Sequence, residues 1–115
     1  MSSGECLKID LSEALRRLPG PQGEHNVQLF EHGSLVVKLS QPRGPDLQTP
    51  HSRDEVYVVA QGSGEFVCGD TRQPVSAPDV LFAAAGTEHR FENFSDDFAV
   101  WVFFYGPEGG EADQS

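Results

Sequence analysis

Residues 49–68 read TPHSRDEVYVVAQGSGEFVC. Two runs rich in β-branched and aromatic residues, Glu55–Ala60 and Glu65–Cys68, flank Gln61-Gly62-Ser63-Gly64. That is the pattern of a strand, a tight connection and a second strand. His51 and Glu55 are four residues apart. A helix would make them neighbours, but Pro50 and the Val/Tyr run argue against one here. On one straight strand they would stand about 13 Å apart, too far to share an ion. The remaining solution is a tight turn through Ser52-Arg53-Asp54 that brings His51 opposite Glu55 at the start of the next strand.

The same reading extends in both directions. Val27–Glu31 and Leu35–Ser40 flank the turn signal His32-Gly33-Ser34. Gly69-Asp70 marks another turn, followed by strand patterns at Val80–Ala84, His89–Phe94 and Phe98–Tyr105. Short strands punctuated by Gly, Pro and Asp predict an all-β antiparallel sandwich or barrel. Phe98–Tyr105 is apolar on both faces, so it needs cover from the barrel interior on one side. A helix or a second subunit must cover the other, which makes a homodimer an expectation. Before the strands, Asp10-Leu11-Ser12-Glu13 has the spacing of a capping box, and Leu11, Leu15 and Leu18 share one helical face. Pro19-Gly20 stops the element, predicting a short helix at 11–18. The organisation expected is therefore a helix and linker over 1–26, a β-barrel over 27–106 and a flexible acidic tail over 107–115.

Charge and composition narrow the functions. The chain has 115 residues, 8 Lys/Arg against 18 Asp/Glu, and a formal net charge of −10. Residues 1–50 carry 5 basic and 6 acidic groups, whereas residues 51–115 carry 3 and 12. Such a surface repels phosphate backbones and anionic membranes, so neither nucleic acid nor membrane is an expected partner. One domain of this size buries about two-thirds of its surface and folds without disulfide or metal staples. The opening residues MSSGECLKID lack a basic-then-apolar signal pattern. The longest apolar run, Phe98–Tyr105, is far below the roughly 20 residues that span a bilayer. With only Cys6 and Cys68, a cytoplasmic protein with reduced thiols is expected.

His51, Glu55 and a third donor, His89, near the start of a strand after Gly86-Thr87-Glu88, form the candidate metal set. Two imidazoles and a carboxylate with open positions suit Fe(II), Mn(II), Ni(II) or Zn(II). The bland reading of the same residues is a Glu55–His89 pair in a polar cavity without metal.

The spacing of these residues resembles the cupin family. Cupins carry the motifs Gly-x5-His-x-His-x3or4-Glu-x6-Gly and Gly-x5-Pro-x-Gly-x2-His-x3-Asn. Here His51, Glu55 and Gly62 match the first motif, and Gly86, His89 and Asn93 the second. The resemblance covers roughly residues 27–105 and implies a double-sheet jelly-roll barrel. It also implies a divalent transition metal held by His51, Glu55 and His89. The motif's first histidine position is Thr49, and its leading glycine position is Arg43, with Gly44 beside it. In the second motif, Pro78 and Ala84 replace the glycine and the proline. A cupin with the full pattern uses three His and one Glu, so Thr49, Gln48 or water is left to occupy the fourth position.

Strand alternation then lists the pocket. With Glu55 and His89 inward, Tyr57, Val59, Phe91 and Asn93 point the same way, joined by Phe66 and Cys68 or their neighbours. Such a pocket favours a small, largely apolar or aromatic organic molecule over a sugar phosphate. A dioxygenase-like reaction is the first expectation. An isomerase or lyase in which Tyr57 or Glu55 moves a proton is the alternative, beside a non-catalytic small-molecule-binding cupin. Lys38 and Arg53 are candidate anion anchors, read as solvated surface. His25 and His32 are read as solvent-facing, Cys68 as a small buried hydrophobe, Cys6 as inert, and Asn93 as a hydrogen-bonding neighbour of the site.

Overall fold

The computed structural model describes residues 6–46 and 48–112. A single helical turn and a half, α1 (Leu11–Arg16), precedes eight strands. In chain order these are β1 (Asn26–His32), β2 (Leu35–Ser40), β3 (Asp54–Gln61), β4 (Ser63–Cys68), β5 (Thr71–Ser76), β6 (Val80–Ala83), β7 (His89–Glu92) and β8 (Ala99–Tyr105). They form two antiparallel sheets, one ordered β1-β2-β8-β3-β6 and the other β5-β4-β7. This is the expected all-β jelly-roll barrel with one short helix. None of the described helices is long and apolar enough to cross a membrane.

Period-two alternation on β3 sets the interior. Glu55, Tyr57 and Val59 are buried, while Val56 and Val58 between them are half-buried on the outer face. Between the sheets lies a core that includes Tyr57, Val59, Phe66, Phe91, Phe98, Val100 and Val102. Aromatic rings meet edge-on through it, Phe91 lying 5.1 Å from both Tyr57 and Phe98. The other face of β8 packs under α1, where Ala14, Leu39 and Ala99 are fully buried beside Trp101. Both faces of the last strand are thus covered near its start, the outer one by the helix.

Three sequence expectations change in detail. α1 ends at Arg16 rather than 18, and only half of the capping box forms. Asp10 Oδ1 accepts the Glu13 amide at 2.8 Å, but the Glu13 carboxylate pairs with Arg17 at 3.1 Å instead of reaching back. β5 has no counterpart in the sequence reading: TRQPVS is polar, mostly exposed and interrupted by Pro74. It forms because it is an edge strand, where a missing amide costs no ladder bond. The tail expected to be free from residue 107 is held as far as Glu111. The Gly109 amide donates to the Ser52 carbonyl at 2.6 Å, and the Glu111 amide to Asp54 Oδ2 at 2.8 Å. Residues 113–115 lie outside the described residues.

Candidate metal centre

The turn at 51–54 is fixed from three directions. The Gly86 amide donates to the His51 carbonyl at 2.8 Å. Asp54 Oδ1 accepts the Ala85 amide at 2.9 Å while Oδ2 takes Glu111. These two amides hold the Asp54 carboxyl below the usual carboxylate range. Arg53 reaches the Ser34 carbonyl in the β1–β2 turn. Loops 84–86, 109–111 and 33–34 therefore converge on the four residues that aim His51.

Across the barrel the two sheets each supply a donor. Glu55 lies on β3 between Phe104 of β8 and Ala83 of β6. His89 opens β7 opposite Cys68 of β4. Glu55 Oε1 stands 2.9 Å from His51 Nδ1 and 2.7 Å from His89 Nε2. The three candidate ligand atoms all lie within 4.8 Å of one another. Glu55 and His89 are buried, at 1% and 3% exposure, and His51 is half-exposed at the mouth. The turn inferred from the sequence brings His51 and Glu55 together as expected, and His89 meets them.

Three observations bear on whether a cation fits this set. Among the described residues, Glu55 Oε2 is buried without a hydrogen-bond partner, an open acceptor on an ionisable group where isolated charge is costly. His89 Nδ1–H donates to the Thr87 carbonyl at 2.8 Å, which leaves Nε2 as the lone-pair nitrogen of the neutral ring, facing Glu55. The donor set itself, two imidazoles and a carboxylate, is that of a divalent transition metal. The residues fit. Burial pulls the His89 pKa down, but the Glu55 carboxylate and the Thr87 carbonyl outweigh it, so the ring titrates above an ordinary histidine. Glu55 thus presents His89 with negative charge that a proton or a metal ion can answer.

The family model that matches this chain is that of the cupin domain, over residues 37–105. The chain is a cupin. An uncharacterised protein of Streptomyces coelicolor is 38% identical over 63 residues, 55% of this chain and 60% of that protein's length. A cupin 2 conserved barrel domain protein from Salinispora arenicola superposes with a TM-score of 0.60 at 19% identity, covering 70% of this chain and 74% of that one. The DMSP lyase DddQ from Ruegeria pomeroyi gives 0.62 at 20% identity, over 86% of this cupin and 55% of the lyase. At those identities the solved structures speak for the fold alone.

Beside the cupin's three candidate ligands is a cavity of about 190 Å³, lined among others by Lys38, Gln48, Tyr57, Phe91, Val102 and Phe104. Tyr57, expected as a proton carrier, lies on this wall with its oxygen 3.0 Å from His89 Nε2. Burial, reinforced by the charge of Glu55, pushes its pKa far up, so it stays protonated and acts as a donor. Its hydroxyl donates to Gln48 Oε1 at 3.2 Å. Gln48 in turn donates to Asp46 Oδ2 at 2.7 Å, which also accepts the Phe91 amide at 2.8 Å. Of the two side chains considered for the fourth position, Gln48 lines the cavity, whereas Thr49 is exposed and does not. A larger cleft of about 570 Å³ is lined by Gly44–Asp46, Arg90–Phe94 and Asp96 and by none of His51, Glu55 and His89, sharing only Asp46 and Phe91 with the smaller cavity.

Asn93 is the clearest correction. β7 ends at Glu92, and Asn93 turns into the left-handed region with φ 51°. That reverses the alternation, so its side chain points outward and donates to Glu65 Oε1 at 2.6 Å. His25 and His32 are exposed, and Cys68 packs half-buried against the core. Asp46, Gln48 and Lys38 are the cavity residues whose roles strand alternation did not assign. The first two lie between β2 and β3, outside both strands, where no period exists to read.

Proposed function

We propose that this cupin holds one divalent transition-metal ion, iron, manganese, nickel or zinc, on His51, Glu55 and His89. In the adjoining cavity it acts on a small, largely apolar or aromatic organic molecule. The observation that carries the proposal is Glu55, buried with one oxygen between two histidine nitrogens and the other without a partner. Bound there, a divalent ion supplies Lewis acidity or, as iron, redox chemistry, with positions left for substrate and dioxygen. Phe91, Val102 and Phe104 exclude water from the substrate's apolar body. The protonated Tyr57 hydroxyl would exchange its hydrogen bond to Gln48 for one to an oxygen of the substrate.

A dioxygenase-type oxidation is the first reading, because three protein donors leave room for two further ligands. An isomerase or lyase is the second, favoured by Tyr57, which burial keeps protonated beside His89. The iron-loaded protein, offered a panel of small phenols, aromatic acids and their neutral esters, separates these. Compound-dependent oxygen uptake supports the first. Conversion without oxygen that is lost in Tyr57→Phe supports the second. Saturable binding with neither overturns catalysis and leaves a binding module.

We also propose that two copies associate through the outer face of the five-stranded sheet. Phe30, Val37, Phe103, Val56 and Phe82 lie in register across β1, β2, β8, β3 and β6. α1 packs over Leu39, Ala99 and Trp101 further along, and Phe82 and Val80 are 53% and 68% exposed. Two free cysteines, Cys6 and Cys68, accord with a reducing compartment such as the cytoplasm.

A further inference from the structure

Lys38 occupies an inward position of β2, directly opposite the buried core residue Val102. Its neighbours Val37 and Leu39 are buried on the other face. A lysine in such a place normally has a partner, since a half-buried ammonium loses hydration. Among the described residues Lys38 makes no ion pair. Its Nζ lies 5.7 Å from the centre of the Phe104 ring, which in turn stacks edge-on with His51 at 5.0 Å. Arg53, the other candidate anion anchor, is committed to the Ser34 carbonyl. Among the described residues, Lys38 is the only Lys or Arg on the cavity wall.

The charges on that wall give the ammonium a purpose. Without metal, the carboxylates of Glu55 and Asp46 outnumber the Lys38 ammonium on this wall. A divalent cation on His51, Glu55 and His89 reverses the balance, leaving one positive charge in excess. We infer that Lys38 makes this cavity selective for a small carboxylate-bearing ligand, whose carboxylate is held between the ammonium and the metal centre while its apolar body lies along Phe91, Val102 and Phe104. This inference rests on the metal reading proposed above.

Cobalt(II)-loaded protein, titrated with benzoate and with its neutral isostere benzamide, tests it by calorimetry and by the visible spectrum of the cobalt. Wild type is expected to bind benzoate about tenfold or more tightly than benzamide, the worth of one charge-assisted hydrogen bond. Lys38→Met preserves side-chain length and packing, and is expected to keep its cobalt and lose that preference. Lys38→Arg is expected to retain it. The metal-free wild type is expected to show none. No preference for benzoate in the cobalt-loaded wild type, or an undiminished preference in Lys38→Met, would overturn the inference and leave the metal site standing. Failure of the wild type to take up cobalt would overturn the metal reading and this inference with it.

Discussion

Glu55 shows how one buried side chain ties the fold to its chemistry. A carboxylate at 1% exposure is tolerable only if its charge is answered. Two histidines and an unpartnered oxygen leave that answer to a proton or a metal ion. Glu55→Gln keeps the shape and removes the charge. We expect it to weaken zinc binding by more than the roughly 10- to 100-fold that loss of an outer hydrogen-bond partner costs, read by competition with a chromogenic chelator. Unchanged zinc affinity would mean that Glu55 is not a ligand. At this scale the meeting of His51, Glu55 and His89 was legible, because a four-residue spacing beside a proline admits only a turn, and His89 opens a strand after the Gly86 loop. Asn93 was misread because a single left-handed residue reverses strand alternation without leaving a mark in the hydrophobic pattern. Lys38 lies on a well-read strand, yet its inward direction became visible only once the helix was seen to cover Leu39.

Elements were read more securely than their edges. Leu35–Ser40 coincides with β2, and the remaining expected strands all exist with ends shifted by one or two residues. β5 escaped because its only buried residue is Val75, too little for a period to appear. The β3–β4 connection depends on Gly62, at φ 78°, where an added Cβ would lie 2.8 Å from the Phe98 Cα. Gly62→Ala combines a strained backbone with an unyielding neighbour, and we expect a loss of about 2 kcal/mol or more in urea unfolding. Little change would show that the loop relaxes freely.

The outer face of the three-stranded sheet carries a second testable element. Arg72 pairs with Glu65 and Glu92, both at 2.8 Å. The Asn93 amide and then Arg72 hold Glu65 below its usual pKa, and Arg90 and then Arg72 do the same for Glu92. Depressed carboxylates contribute stability above their unfolded pKa and lose it as pH falls through the folded one. Arg72→Ala is therefore expected to lower the urea midpoint at pH 7 and to have little effect at acid pH, once both carboxyls are protonated. An equal effect at both pH values would assign Arg72 a packing role instead.

For the molecule as a whole, the row Phe30, Val37, Phe103, Val56 and Phe82 runs in register across five strands, with Val37 already buried and Phe82 left 53% exposed at its end. Sedimentation of the wild type is expected to give a dimer, and Phe82→Glu combined with Phe103→Glu a folded monomer. A monomeric wild type would contradict the proposed association. That face and the metal-side cavity lie on opposite surfaces of one sheet, with β3 contributing Val56 to the first and Glu55 to the second. The proposed association and the proposed metal chemistry would therefore draw on different side chains of the same strand.

The central claim is that His51, Glu55 and His89 hold a metal ion, and its most direct test is metal content by mass spectrometry. Untagged wild-type protein and His89→Ala are measured side by side, as isolated and after reconstitution with iron, manganese, nickel and zinc. Near-stoichiometric metal in the wild type that is lost from a folded His89→Ala is the predicted result. Wild type that takes up none of the four ions, or a variant that binds as much as the wild type, would contradict it.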